Sequence, residues 1–189
     1  MFSTDDGGMT WGAHLMAYHA AFRITHVYEA TPTLVFGLAQ SALFRSSDDG
    51  RSWQRIEMAS KCTSRTFPEE FDNTPVGISF VNQRTGWLSY LHGDLLHTAD
   101  GGLHWCAIRT PKVSWRKGAA WTAHFERLRF TSEASGWGIA GDGSVHHTQD
   151  DGQTWTKVHL SDISDLDVLP DGSVWAVGAS GVFCSRRPE

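Results

Sequence analysis

The chain has 189 residues, with 16 Lys plus Arg against 21 Asp plus Glu and a formal net charge of −5. That length suits one domain with a substantial core, and the acidic balance argues against general nucleic-acid binding, which needs a concentrated positive field. There is no run of 18 apolar residues and no charged-then-apolar leader at the N-terminus, so neither a membrane-spanning helix nor a signal peptide is expected, and a cytoplasmic location is the expectation.

In chain order the first element is the turn FSTDDGGMTW, residues 2–11. Written as Ser or Thr, any residue, Asp, any residue, Gly, any two, Trp, it occurs four times. The sets are Thr4, Asp6, Gly8 and Trp11; Ser46, Asp48, Gly50 and Trp53; Thr98, Asp100, Gly102 and Trp105; and Thr148, Asp150, Gly152 and Trp155. The Trp spacings of 42, 52 and 50 residues fall in the range of solenoid and propeller repeats. Asp and Ser/Thr side chains bond to nearby backbone, Gly supplies a positive φ, and Trp offers a broad surface for packing between units.

Residues 24–53 form the next unit, with Val35 in the place that Trp takes in later units. A long connection, KCTSRTFPEEFDNTP at 61–75, precedes residues 78–105. A second, PKVSWRKGAAW at 111–121, precedes residues 128–155, which align with 78–105 without gaps. Trp87 and Trp137 each stand 18 residues before the motif Trp. Each unit reads as an apolar strand, a turn, a strand carrying Gly-Trp, a Gly-containing turn, a strand ending at Ser/Thr, the motif turn and a last strand.

Four strands per unit is the plan of a propeller blade. Residues 163–185 supply three more strands and stop where a motif turn should begin, and the N-terminus carries such a turn. The expected fold is therefore all-β: a small β-propeller of four four-stranded blades forming one domain over 1–189. The blades fall at about 20–57, 75–110, 124–160 and 163–185, the last closed by residues 3–17. Closure hides a sheet edge that would otherwise invite pairing. The same complementarity between two chains gives an eight-bladed ring as the alternative; a monomer is favoured.

Little in the sequence points to catalysis, and no cofactor or metal is expected. There is no G-x-S-x-G, P-loop, C-x-x-C or H-E-x-x-H. His146 and His147 are adjacent on a strand and face opposite ways. Asp48-Asp49 and Asp150-Asp151 each pair a motif Asp with its neighbour. Cys62, Cys106 and Cys184 are odd in number and widely spaced, and free thiols are expected. The two long connections exceed structural need and tend to carry recognition. They share a face with the turns between second and third strands, and the candidate binding residues there are Arg65, Phe71, His92, Trp115, Arg116, Lys117 and Trp121. Trp beside Arg is the composition of an interaction hot spot.

The four motif turns resemble Asp-boxes, the bacterial neuraminidase repeats of sialidases, sortilin-like receptors and photosystem II stability or assembly factor-like propellers. Gly86-Trp87 followed by Thr98, Asp100, Gly102 and Trp105 is most similar to the last group. The resemblance implies that the boxes are structural turns and that the chain is a protein-binding assembly module, with a dedicated inhibitor also compatible. The sialidase branch implies an arginine triad and a tyrosine–glutamate pair. Here Phe22-Arg23-Ile24-Thr25 lacks the Pro of the family's arginine motif and follows the first box, where the family places it before. Tyr occurs only at 18, 28 and 90. A non-catalytic module with a protein partner is thus the first reading, and carbohydrate binding or sialidase-type hydrolysis the second.

Overall fold

The computed structural model describes residues 2–4, 6–13, 24–39, 42–56, 74–91, 93, 95–108, 124–169 and 172–185. Every regular element among them is a strand. A short hairpin, β1 (Phe2–Ser3) and β2 (Gly12–Ala13), comes first. The first sheet is β3 (Ile24–Thr31), β4 (Leu34–Ala39), β5 (Ala42–Ser46) and β6 (Gln54–Ile56). The second is β7 (Pro75–Phe80), β8 (Gly86–Tyr90), β9 (Leu95–Thr98) and β10 (Cys106–Ile108). The third is β11 (Phe125–Phe130), β12 (Gly136–Ala140), β13 (Val145–Thr148) and β14 (Thr156–Lys157). The fourth holds β15 (Ile163–Val168), β16 (Val174–Gly178) and β17 (Gly181–Ser185).

Each sheet is an antiparallel meander in chain order, as expected of propeller blades. All four carry a register shift near the start of the first strand, at Ile24/His26, Pro75/Gly77, Phe125/Arg127 and Ile163/Asp165. Such bulges sharpen the local twist, and their recurrence gives every first strand the same bend.

Consecutive sheets bury their faces against one another. Phe36, Leu38 and Leu43 of the first meet Ile78, Phe80, Leu88 and Trp105 of the second. Trp87 and Leu95 of the second meet Phe125, Leu128 and Phe130 of the third. Ile139 and Val145 of the third meet Ile163, Leu166 and Ala176 of the fourth. The Gly of Gly-Trp makes room for the Phe directly opposite it in its own sheet. A Cβ on Gly86 would lie 2.6 Å from the Phe80 ring, and one on Gly136 at 2.6 Å from Phe130.

Two expectations are corrected. Residues 3–17 do not complete the last sheet among the described residues: β1 pairs with β2, Phe2 opposite Ala13 and Ser3 opposite Gly12, while β15–β17 stay three-stranded. The cause lies in the strand inventory. Phe2-Ser3 already supplies the third strand for its own box, just as Phe183-Cys184 supplies one for the last sheet, so simple closure would provide that strand twice. With no sheet behind it, the motif Trp11 is 60% exposed, whereas Trp105 is 3% exposed. The second correction concerns the thiols. Cys106 is disulfide-bonded, and Cys184 is free and exposed on β17. Spacing along the chain carried no signal of that bond.

Candidate protein-interaction surface

All four motif turns close through the same hydrogen bonds. In the second, the Ser46 hydroxyl donates to Asp48 Oδ1 at 2.8 Å and accepts from the Gly50 amide at 2.8 Å. Asp48 also accepts from the Ser52 amide at 2.8 Å and its hydroxyl at 2.6 Å, and the Trp53 indole donates to the Gly50 carbonyl at 2.9 Å. Equivalent bonds join Thr4, Asp6, Gly8, Thr10 and Trp11, and likewise Thr148, Asp150, Gly152, Thr154 and Trp155. In the third, His104 Nδ1 lies 2.6 Å from Asp100 Oδ2 in place of the hydroxyl. The residue before the Trp is therefore part of the motif, which the sequence pattern missed because Thr, Ser and His share the role. Donors gathered on the carboxylate stabilise its charge. Ser52 and then Ser46 push Asp48 down to about 2, and Asp6 and Asp150 are also held below the usual range. These carboxylates are committed to their turns.

The third and fourth box turns also receive a donor from the preceding sheet. Arg45 Nε donates to the Gly101 carbonyl at 2.7 Å. Trp87 Nε1 donates to Asp151 Oδ1 at 2.9 Å, with its ring stacked on Phe130 at 3.6 Å. Along the first strands, the Phe80 amide donates to Tyr28 Oη and the Phe130 amide to Ser79 Oγ, both at 2.9 Å. Sequence reasoning missed these bridges, since the donors Arg45 and Trp87 stand on different strands of their sheets and the acceptors Tyr28 and Ser79 differ in residue type.

The motif turns share one face with the turns between first and second strands. The amides of Asp49, Gly101 and Asp151 bond to the carbonyls of Thr33, Arg84 and Ala134. Asp49 and Asp151 take left-handed φ of 59° and 63°, as Gly101 does at 73°. Between the second and third sheets this face holds two adjoining crevices of about 550 and 460 Å³. Residues lining them include Arg84, His97, Glu133 and Asp151. Thr85 bonds Glu133 at 3.2 Å. Burial pushes the Asp151 carboxyl up, against the pull of His97 and Trp87, and Glu133 and Asp150 add to it.

On the opposite face the turns after the second strands are tied to the starts of the first strands. Leu91 N bonds Thr74 O at 3.0 Å, Gly141 N bonds His124 O at 3.3 Å, and Ala179 N bonds Asp162 O at 3.1 Å. Thr74 lies at the end of the first long connection and His124 three residues past the second, so β7 and β11, which they lead into, begin on this face. The candidate binding residues Arg65, Phe71, His92, Trp115, Arg116, Lys117 and Trp121 all lie outside the described residues. His146 is buried against Phe125, while the His147 ring lies tilted against Trp137, on opposite sides of β13.

Sheets built on repeated boxes and packed face to face define an Asp-box β-propeller protein. More narrowly, the chain belongs to the family described as photosynthesis system II assembly factor YCF48, whose model matches residues 64–165. It is similar to a solved structure described as YCF48 bound to D1 peptide, at 20% identity and TM-score 0.61, covering 88% of this chain and 52% of that one. A YCF48 structure from Cyanidioschyzon merolae shows 14% identity and TM-score 0.69 over 97% of this chain and 62% of that one. An ancestral GH74 enzyme shares the fold at 12% identity and TM-score 0.62, over 97% of this chain and 28% of that one. The chain thus spans about half to three fifths of the two YCF48 structures. No curated protein matches it in sequence.

Proposed function

We propose that this chain is a non-catalytic propeller of the assembly-factor kind that holds a partner polypeptide on the face carrying its long connections. The family match over residues 64–165 carries this reading, since that span takes in most of both connections. A structure described as YCF48 bound to D1 peptide supports a peptide as the ligand class. In this reading Trp115 and Trp121 supply rigid apolar contact, Arg65, Arg116 and Lys117 pair with carboxylates or backbone carbonyls, and Phe71 and His92 border the site. The hydrolase alternative draws only on a shared fold, and fold does not imply function. The box aspartates, its most visible carboxylates, are saturated within their turns.

The test is a calorimetric titration of the purified chain with D1 peptide, alongside a Trp115→Ala/Arg116→Ala variant. Saturable binding that the double variant loses, with an unchanged melting temperature, is expected. Equal binding by both proteins would remove the proposed face.

A further inference from the structure

The last sheet presents an apolar face and an unpaired edge that the rest of the fold teaches how to read. Trp87, Trp137 and Trp175 hold the same place on the second strand of three successive sheets, opposite Ser79, Arg129 and Asp167 on the first strands. Trp87 is fully buried, because the third sheet supplies both the Phe130 ring and the Asp151 carboxylate. Trp137 is half-buried, packed against a fourth sheet that offers Val168 but no box turn among the described residues. Trp175 is 40% exposed, and the cross-strand neighbours Val177 and Val182 are exposed beside it. Exposure rises stepwise as parts of the covering sheet drop away.

The edge shows the same incompleteness. β5, β9 and β13 each pair with a box-borne fourth strand, whereas β17 has no further partner strand among the described residues. An apolar face next to an open strand edge is a docking site for another β-element.

We propose that this face and edge bind the N-terminal half of a second copy of the chain, namely its hairpin of residues 2–13 and its first sheet. Three features of this sequence specify that occupant. The hairpin carries a complete box whose Trp11 is exposed, and its β2 is held by only two residue pairs. Phe2-Ser3-Thr4 and Phe183-Cys184-Ser185 repeat one pattern of aromatic, small and hydroxyl residue. β2 can therefore exchange Phe2-Ser3 for Phe183-Cys184 in the same register, with Ser185 replacing Thr4 beside Asp6. The first sheet in turn offers Asp49, whose left-handed turn matches that of Asp151, as acceptor for the Trp175 indole. The contact is head-to-tail, and two copies can close it as a ring.

Two measurements on the whole chain test this. Light scattering of the parent is expected to give at least two chains, with Trp175→Arg and Val182→Lys each reducing it to one. A parent that stays a single chain at the highest soluble concentration would overturn the proposal, as would association untouched in both variants. Gly12→Cys is expected to cross-link to Cys184 between chains, giving a two-chain band on a non-reducing gel. A cross-link within one chain would overturn the second copy as occupant.

Discussion

The Trp87 indole donates to the Asp151 carboxylate across the joint between the second and third sheets, Nε1 to Oδ1 2.9 Å apart, while its ring lies parallel to Phe130 within 3°. One side chain thus joins two blades by both packing and a hydrogen bond. Trp87→Phe keeps most of the packing but leaves a half-buried carboxylate without its donor, which costs about 1 to 2 kcal/mol. Trp87→Ala also leaves a cavity and costs about 3 to 5 kcal/mol. Urea unfolding measures both, and a Phe variant as stable as the parent would show that the indole N–H does not stabilise the joint.

The four box tryptophans look alike in sequence yet differ in burial. Trp105 sits edge-on to Phe36 and Phe80, 6.5 and 6.0 Å between centroids, whereas Trp11 projects from a lone hairpin. Trp105→Ala is expected to cost about 3 to 5 kcal/mol, and Trp11→Ala, in the single chain, under about 1 kcal/mol. Equal losses in denaturant unfolding would contradict this difference in burial.

Acid sensitivity follows from His146. Burial, with Lys157 nearby and Asp142 opposing, lowers its pKa from 6.5 to about 4. The folded state therefore resists protonation that the unfolded chain accepts at pH 6.5. This contribution to stability is complete above pH 6.5 and is lost as pH falls towards 4, by up to about 3 kcal/mol. The depressed box aspartates lose theirs at lower pH, between about 4 and 2 for Asp48. Unfolding midpoints measured from pH 8 to 4 should fall below pH 6.5, and His146→Gln should flatten that slope. A parent profile flat across this range would show that His146 is readily protonated in the folded state.

The fold was legible because box residues must be chemically specific. Only a carboxylate can gather the amide and side-chain donors seen at Asp48, and a positive φ of 77° at the same turn suits Gly50. The joints were not legible, because Arg45 and Trp87 serve the same purpose from different strands, and Tyr28 and Ser79 from different chemistries. Closure by residues 3–17 is not seen among the described residues, where Phe2-Ser3 and Phe183-Cys184 each supply the strand before a box position. The proposed binding residues depended on loop length and composition, which locate a face but not the contacts made on it.

Hydrogen–deuterium exchange of the whole chain, with and without D1 peptide, tests the proposed binding face most directly. The account predicts slowed exchange in residues 61–75 and 111–121 and around Leu91 and Gly141, with the box turns at 98–105 and 148–155 unchanged. Protection confined to the box turns and the crevices beside Glu133 and Asp151, or none at saturating peptide, would contradict it.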